Sequence, residues 1–297
     1  MLSDSPQWER EGRDWPNRAL SHFVEVDRLR WHVQIAGPAS DDVPVVLLLH
    51  GTGAATHSWR TLLPLVSKHC RVIAPDLPGH GFTRGRPAGG MSMAAMAAAV
   101  AALLAELGEK PGIIVGHSAG AAVAARMVLD GSVSPQRLIG LNAALLPFPG
   151  LAAKVFPTLA KMLFVNPFMP HVFAAIARQS GEPKRFLERS TGSAVDAQGA
   201  DYYGRLFATA GHCAGAISMM AEWDLEALAR DLPRLPVPLE LLHGAGDAAI
   251  PVSAAHGAAA LVPGSTVLVL PGLGHLAHEE APGDVAAIVS GVRVAPA

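Results

Sequence analysis

The chain carries two kinds of apolar pattern in alternation. Short unbroken runs, among them Val45-Val46-Leu47-Leu48-Leu49 and Ile113-Ile114-Val115, predict strands covered on both faces. Arg71-Val72-Ile73-Ala74, Leu138-Ile139-Gly140-Leu141, Leu239-Glu240-Leu241-Leu242-His243 and Ser265 to Leu270 read as further short strands. Between them lie longer helix-compatible stretches: about Trp59 to Val66, the alanine-rich Met93 to Leu107, and Ala121 to Leu129. Strand alternating with helix predicts an α/β protein with a mostly parallel sheet flanked by helices. Ahead of that core, Phe23-Val24-Glu25-Val26 and Leu29 to Ile35 alternate apolar and polar around Asp27-Arg28, which predicts an antiparallel hairpin. Residues 1–22 are polar, with Trp8 and Trp15 among charges, and are expected to form an arm lying on the surface.

The alternation stops at Ala143 and resumes after Pro236. Pro147, Pro149, Pro157, Pro167, Pro170 and Pro183 interrupt a helical, apolar sequence there. Residues 143–236 are therefore read as a helical lid inserted into a core made of 1–142 and 237–297. Phe148, Phe156, Met162, Phe164 and Phe168 are its candidate substrate contacts. Ordinary core packing is the competing reading of such side chains, and the two differ in whether they face a cavity.

Composition narrows the field. Half of the 297 residues are hydrophobic, enough for a large core. The net charge of -2, with no basic run, gives no reason to expect a nucleic-acid partner. No stretch approaches the ~20 apolar residues of a membrane span, and two cysteines make no disulfide framework, so free thiols and a cytoplasmic setting are expected. Gly51-Thr52-Gly53 lacks the third glycine of a dinucleotide fingerprint, and Gly272 to Ala277 lies too near the end for a βαβ unit. No nucleotide-binding P-loop occurs. His275 and His278 lie three apart, but no H-E-x-x-H pattern or cysteine ligand makes them a metal pair, and no cofactor is expected.

The densest chemistry is Gly116-His117-Ser118-Ala119-Gly120, between the strand 113–115 and a helix. Strand, G-x-S-x-G and helix together form the context of a nucleophile elbow. A serine hydroxyl is a weak nucleophile, so it must stand on a sharp turn within reach of a base. Asp247 and His275 follow at the ends of two later predicted strands. The order Ser…Asp…His gives Ser118 as nucleophile, His275 as proton shuttle and Asp247 as the group that orients the imidazole. Asp76, in Pro75-Asp76-Leu77-Pro78-Gly79-His80-Gly81, is expected to fix its loop rather than to relay protons. His117, the variable residue of the elbow, is placed with the tentative pocket residues.

With His50-Gly51, the 76–81 loop, the elbow, Asp247 to Pro251 and Gly274-His275 to Glu280, the chain resembles an α/β hydrolase. The oxyanion hole this implies takes the backbone N–H groups of Thr52 and Ala119. Arg13 to Arg18, Leu29 to Gln34, His50 to Arg60, Gly116 to Ala121, Thr191-Gly192-Ser193 and Gly272 to Glu280 more closely resemble the magnesium-chelatase accessory proteins of bacteriochlorophyll biosynthesis. That resemblance spans nearly the whole chain. It implies a role near magnesium insertion into protoporphyrin, with the chelatase as a partner and a tetrapyrrole as a candidate ligand. Two classes follow: a serine hydrolase cleaving an ester or related acyl bond of a bulky apolar substrate, or a carrier that holds a tetrapyrrole for the chelatase. A general esterase or a cofactor-free haloperoxidase-like enzyme would share the same three residues.

Overall fold

The computed structural model describes residues 4–40, 42–147, 166–179 and 181–291. The hairpin forms between β1 (Ser21–Val26) and β2 (Leu29–Ala36), with Phe23 opposite His32 and Val26 opposite Leu29. Then come β3 (Val45–Leu49), β4 (Arg71–Pro75), a two-residue β5 (Arg84–Gly85), β6 (Ile113–His117), β7 (Arg137–Leu141), β8 (Leu239–Gly244) and β9 (Thr266–Leu270). They join in one sheet ordered β1-β2-β4-β3-β6-β7-β8-β9, with β5 beside β2. Pairings that involve β2 are antiparallel; from β4 to β9 every pairing is parallel.

The unbroken apolar strands are explained by what covers them. On one face Leu47, Leu49, Ile73 and Ile114 meet α2 (Met93–Leu107) and α3 (Ala119–Leu129) through Met96, Val100, Val123 and Met127. On the other, Val46, Leu48, Val72 and Val115 meet Leu62, Leu63 and Val66 of a short helix, with Val285 and Val289 near the C-terminus. Successive strand residues point to opposite faces, and each side chain so buried contributes roughly 1.5–3 kcal/mol. The short helix begins later than its apolar pattern suggested: Thr56–Trp59 is a 3-10 turn and the helix covers only Leu62–Val66. Helix α2 shows local control, since Ser92 Oγ accepts from Ala95 N–H and Gly108 closes the helix at φ 69.

Between β7 and β8 the described residues contain helices and no strand. These are α4 (Met169–Ala177), α5 (Glu182–Thr191), α6 (Ala197–Phe207), α7 (Ala210–Glu222) and α8 (Leu225–Asp231). After β8 follow α9 (Val252–Leu261), α10 (Ala277–Glu280) and α11 (Pro282–Ser290). Among the described residues, no helix is long and apolar enough to cross a membrane.

The arm departs from its expected surface course. Trp15 is buried, its indole N–H donating to Thr56 Oγ1 at 2.9 Å, and Trp8 packs edge-on to Phe23 and Phe82. The reading by polarity overlooked how much area two indoles withdraw from water. They anchor a segment that also carries Glu9, Arg10, Glu11, Arg13, Asp14 and Arg18.

Candidate active site

Ser118 sits between β6 and α3 with φ 51 and ψ -117, a left-handed conformation that L residues seldom hold. The surroundings impose it. Ser118 N–H donates to Leu141 O of the neighbouring strand at 2.9 Å, and Ser118 O accepts from Ala121 and Ala144, each at 3.1 Å. The flanking glycines serve close approach instead of backbone strain. A Cβ on Gly116 would lie 2.4 Å from Ala121 N, and one on Gly120 would lie 2.1 Å from Leu49 O. From Gly116 to Ala121, Ser118 alone is not buried.

The loop after β3 lies directly against this turn, since a Cβ on Gly51 would come within 3.0 Å of Ser118 Cβ. From Gly51 to Trp59, only Thr52 is partly exposed. Among the described residues, neither Thr52 N–H nor Ala119 N–H has a protein acceptor. His50 fixes the start of the loop: its Nδ1–H donates to Gly51 O at 2.8 Å and its Nε2 accepts from Leu77 N–H at 2.9 Å. Helix α7 covers the loop. His212 Nε2–H donates to Gly53 O at 3.0 Å, its Nδ1 accepts from Gly81 N–H at 3.1 Å, and Thr52 Oγ1 meets Met219 Sδ at 3.4 Å. Burial pulls the His212 pKa down to about 4, which keeps this two-sided bridge neutral.

Asp247 and His275 converge from the ends of β8 and β9. His275 Nδ1–H donates to Asp247 Oδ2 at 2.7 Å, which leaves Nε2 as the basic nitrogen. Asp247 Oδ1 accepts from the amides of Ala249 and Ile250 at 2.8 and 2.9 Å, and Asn142 Nδ2 donates to Oδ2 at 2.7 Å. Burial pushes the Asp247 carboxyl up, but these donors and the adjacent imidazole outweigh it and hold the pKa below the ordinary carboxylate range. The group is thus a stable anion beside His275. A half-buried hydroxyl, an imidazole with one fixed tautomer, an oriented carboxylate and two unoccupied amides are the parts that acyl transfer requires. Among the described residues, neither Ser118 Oγ nor His275 Nε2 has a hydrogen-bond partner, and in unliganded sites that contact is often loose.

The other predicted residues fall elsewhere. His117 is buried behind His275, its Nε2–H donating to His275 O at 2.9 Å and its ring lying 4.4 Å from that of His278. That place is internal support, not the wall of an open pocket. Phe168 is 72 % exposed among the described residues. Phe148, Phe156, Met162 and Phe164 lie outside the described residues. Asp76 fixes its loop: it accepts from Thr56 N–H (2.7 Å), Phe82 N–H (2.8 Å) and His32 Nδ1–H (2.7 Å). Asn142 is a residue that sequence reasoning passed over. Its one local signal was an asparagine at a strand's carboxyl end, and its φ of 47 is one that asparagine tolerates well.

A nine-stranded, mostly parallel sheet with this turn between β6 and α3 defines an α/β hydrolase. The sequence model of the Alpha/beta hydrolase family matches residues 46–288, and the chain belongs to that family. The thermophilic esterase of Thermogutta terrifontis, 23 % identical, superposes with a TM-score of 0.72 over 91 % of this chain and 97 % of that one, a likeness of fold. Within the superfamily, the chain is 40 % identical over 271 residues to the magnesium-chelatase 30 kDa subunit of Rhodobacter capsulatus, covering 90 % of this chain and 92 % of that one. It belongs to the family of that subunit. A pimeloyl-[acyl-carrier protein] methyl ester esterase of Aromatoleum aromaticum is 30 % identical over 84 % of this chain and 98 % of its own length.

Proposed function

We propose that this protein is a serine hydrolase that acts as an accessory to magnesium chelatase in bacteriochlorophyll biosynthesis. Ser118 is the nucleophile, His275 the base and Asp247 its orienting carboxylate, with Thr52 and Ala119 N–H as the oxyanion hole. The observation that carries the reading is the union of a strained serine at φ 51 with a 2.7 Å Asp247–His275 hydrogen bond. His275 Nε2 takes the proton as Ser118 Oγ attacks the acyl carbon. The two amides receive the charge that develops on the acyl oxygen, and His275 then returns the proton to the leaving alcohol. Water repeats the sequence to release the acid.

The relationship to a magnesium-chelatase subunit supports a bulky apolar substrate, a tetrapyrrole or an ester of one, and the chelatase as partner in the cytoplasm. The segment 143–236 is then the lid that selects this substrate. Labelling by an active-site-directed fluorophosphonate tests the chemistry, with Ser118→Ala as the blank. Titration with protoporphyrin and its magnesium methyl ester, read by Trp quenching and the Soret band, tests the substrate class. Binding without labelling or turnover would replace the hydrolase by a carrier. Brisk hydrolysis of small esters without tetrapyrrole binding would leave a general esterase.

A further inference from the structure

The segment joining α5 to α6 lies against the loop of His275. Three consecutive amides of that loop are each bound by this segment or by the carboxylate that clasps it. Gly274 N–H donates to Glu280 Oε2 at 2.8 Å, His275 N–H to Thr191 O at 2.8 Å, and Leu276 N–H to Ser193 Oγ at 2.8 Å. Ser193 Oγ–H donates to Glu280 Oε2 at 2.7 Å, and Ala194 N–H to Glu280 Oε1 at 2.9 Å. Thr191 O also accepts from Ala248 N–H, the residue after Asp247, at 3.3 Å. One carbonyl therefore touches the backbones of both the acid's loop and the base's loop.

The fit is close enough to require glycine. Gly192 has φ +68, and a Cβ on it would lie 2.2 Å from Gly246 O. A Cβ on Gly274 would lie 2.5 Å from Gly192 C and from Ser193 Oγ. Asp247 fixes the ring of His275 through Nδ1, and the backbone beneath that ring is held from the sheet side by His117 and Asn142 through its carbonyls and from the other side by the insertion through its amides. A shift of the insertion relative to the sheet would carry the imidazole with it.

We propose that Thr191-Gly192-Ser193, clasped by Glu280, is a positioning element for His275 that couples the placement of the helical insertion to the reach of the base toward Ser118. The inference rests on the hydrolase reading above. It predicts that loosening the clasp impairs the chemical step more than substrate binding, because a misplacement near 1 Å costs about 100-fold in rate.

The test compares Glu280→Gln and Ser193→Ala with Glu222→Gln. Glu222 clasps the far end of the insertion by accepting from Met91 N–H at 2.6 Å, away from His275. Readouts are kcat and KM for a p-nitrophenyl ester, the rate of fluorophosphonate labelling, Tm, and the downfield proton resonance of His275 Nδ1–H. The first two variants should lose ~10- to 100-fold in kcat and in labelling rate, keep KM within about twofold, and shift or broaden the resonance. Glu222→Gln should lower Tm and leave kcat and the resonance unchanged. Folded Glu280→Gln and Ser193→Ala proteins with wild-type kcat and wild-type resonance would overturn the proposal. A wild-type protein that is neither labelled nor active would instead overturn the hydrolase reading, and the resonance alone would then decide whether the strap positions His275.

Discussion

Asn142 Nδ2 lies 2.7 Å from Asp247 Oδ2, the same oxygen that meets His275 Nδ1 at 2.7 Å. The amide comes from the end of β7 and also reaches Gly274 O at 3.3 Å, so one side chain joins the strand beside Ser118 to the loops of Asp247 and His275. Asn142→Gly keeps the positive φ and deletes the donor. A hydrogen bond to a charged group contributes roughly 1.5–3 kcal/mol, so kcat for a p-nitrophenyl ester should fall by ~10- to 100-fold while KM changes little. Unaltered kcat would remove Asn142 from the machinery.

Ser118→Ala should abolish fluorophosphonate labelling and ester turnover, and His275→Ala should cost a comparable amount because the three residues act as a unit. Asp247→Asn should stay folded and lose ~10⁴ in kcat, since an amide at that position favours the wrong imidazole tautomer. Steady-state kinetics and circular dichroism on the three variants check this. Wild-type turnover by Ser118→Ala would dismiss the assignment of all three.

Thr52→Pro removes the N–H assigned to the oxyanion hole while leaving Ala119 in place. Loss of one such donor typically lowers kcat by ~10²–10³, and substrate affinity should move far less. A folded Thr52→Pro protein with wild-type kcat would send the search to another donor.

Stability should fall steadily below neutral pH. His50, His57, His80, His117, His212 and His278 are buried, and burial first of all depresses each pKa below the ordinary 6.5. The unfolded chain binds protons at these sites before the folded one does. Their contribution is therefore complete above 6.5 and is lost as pH drops toward the folded values, about 4 for His212 and about 3 for His278. His212 and His278 should each cost about 1–2 kcal/mol between pH 6.5 and 5, and the other four add losses of the same sign. Urea midpoints at pH 7.5, 6 and 5 measure it, and a flat profile would contradict the burial of these rings.

Asp76 should dominate a second, more acidic loss. Burial pushes its carboxyl up, but His32 and the amide of Phe82 outweigh this and hold it well below 3.8. Its stabilisation is present above the unfolded value and disappears as pH falls beneath it. Asp76→Ala leaves the buried amides of Thr56 and Phe82 and the His32 imidazole without their acceptor. It should cost roughly 3–5 kcal/mol at pH 7, read from the shift in urea midpoint.

The sequence by itself determined the sheet and singled out the residues proposed for the chemistry. Val45 to Leu49 and Ile113 to Val115 are strands in the structure, because an unbroken apolar run between turn residues has few other ways to bury itself. Ser118, Asp247 and His275 could be picked out because parallel strands deliver their carboxyl ends to one edge of the sheet. The tertiary structure decided what holds those residues. Trp15 is buried among Thr56, His57, Phe82 and Tyr202, and Asn142, Thr191 and Ser193 reach Asp247 and the backbone of His275 and Leu276 across the fold. None of these contacts has a period or a local spacing. A single donor and acceptor brought together by loop closure leave no trace along the chain, whereas a strand repeats its alternation at every second residue.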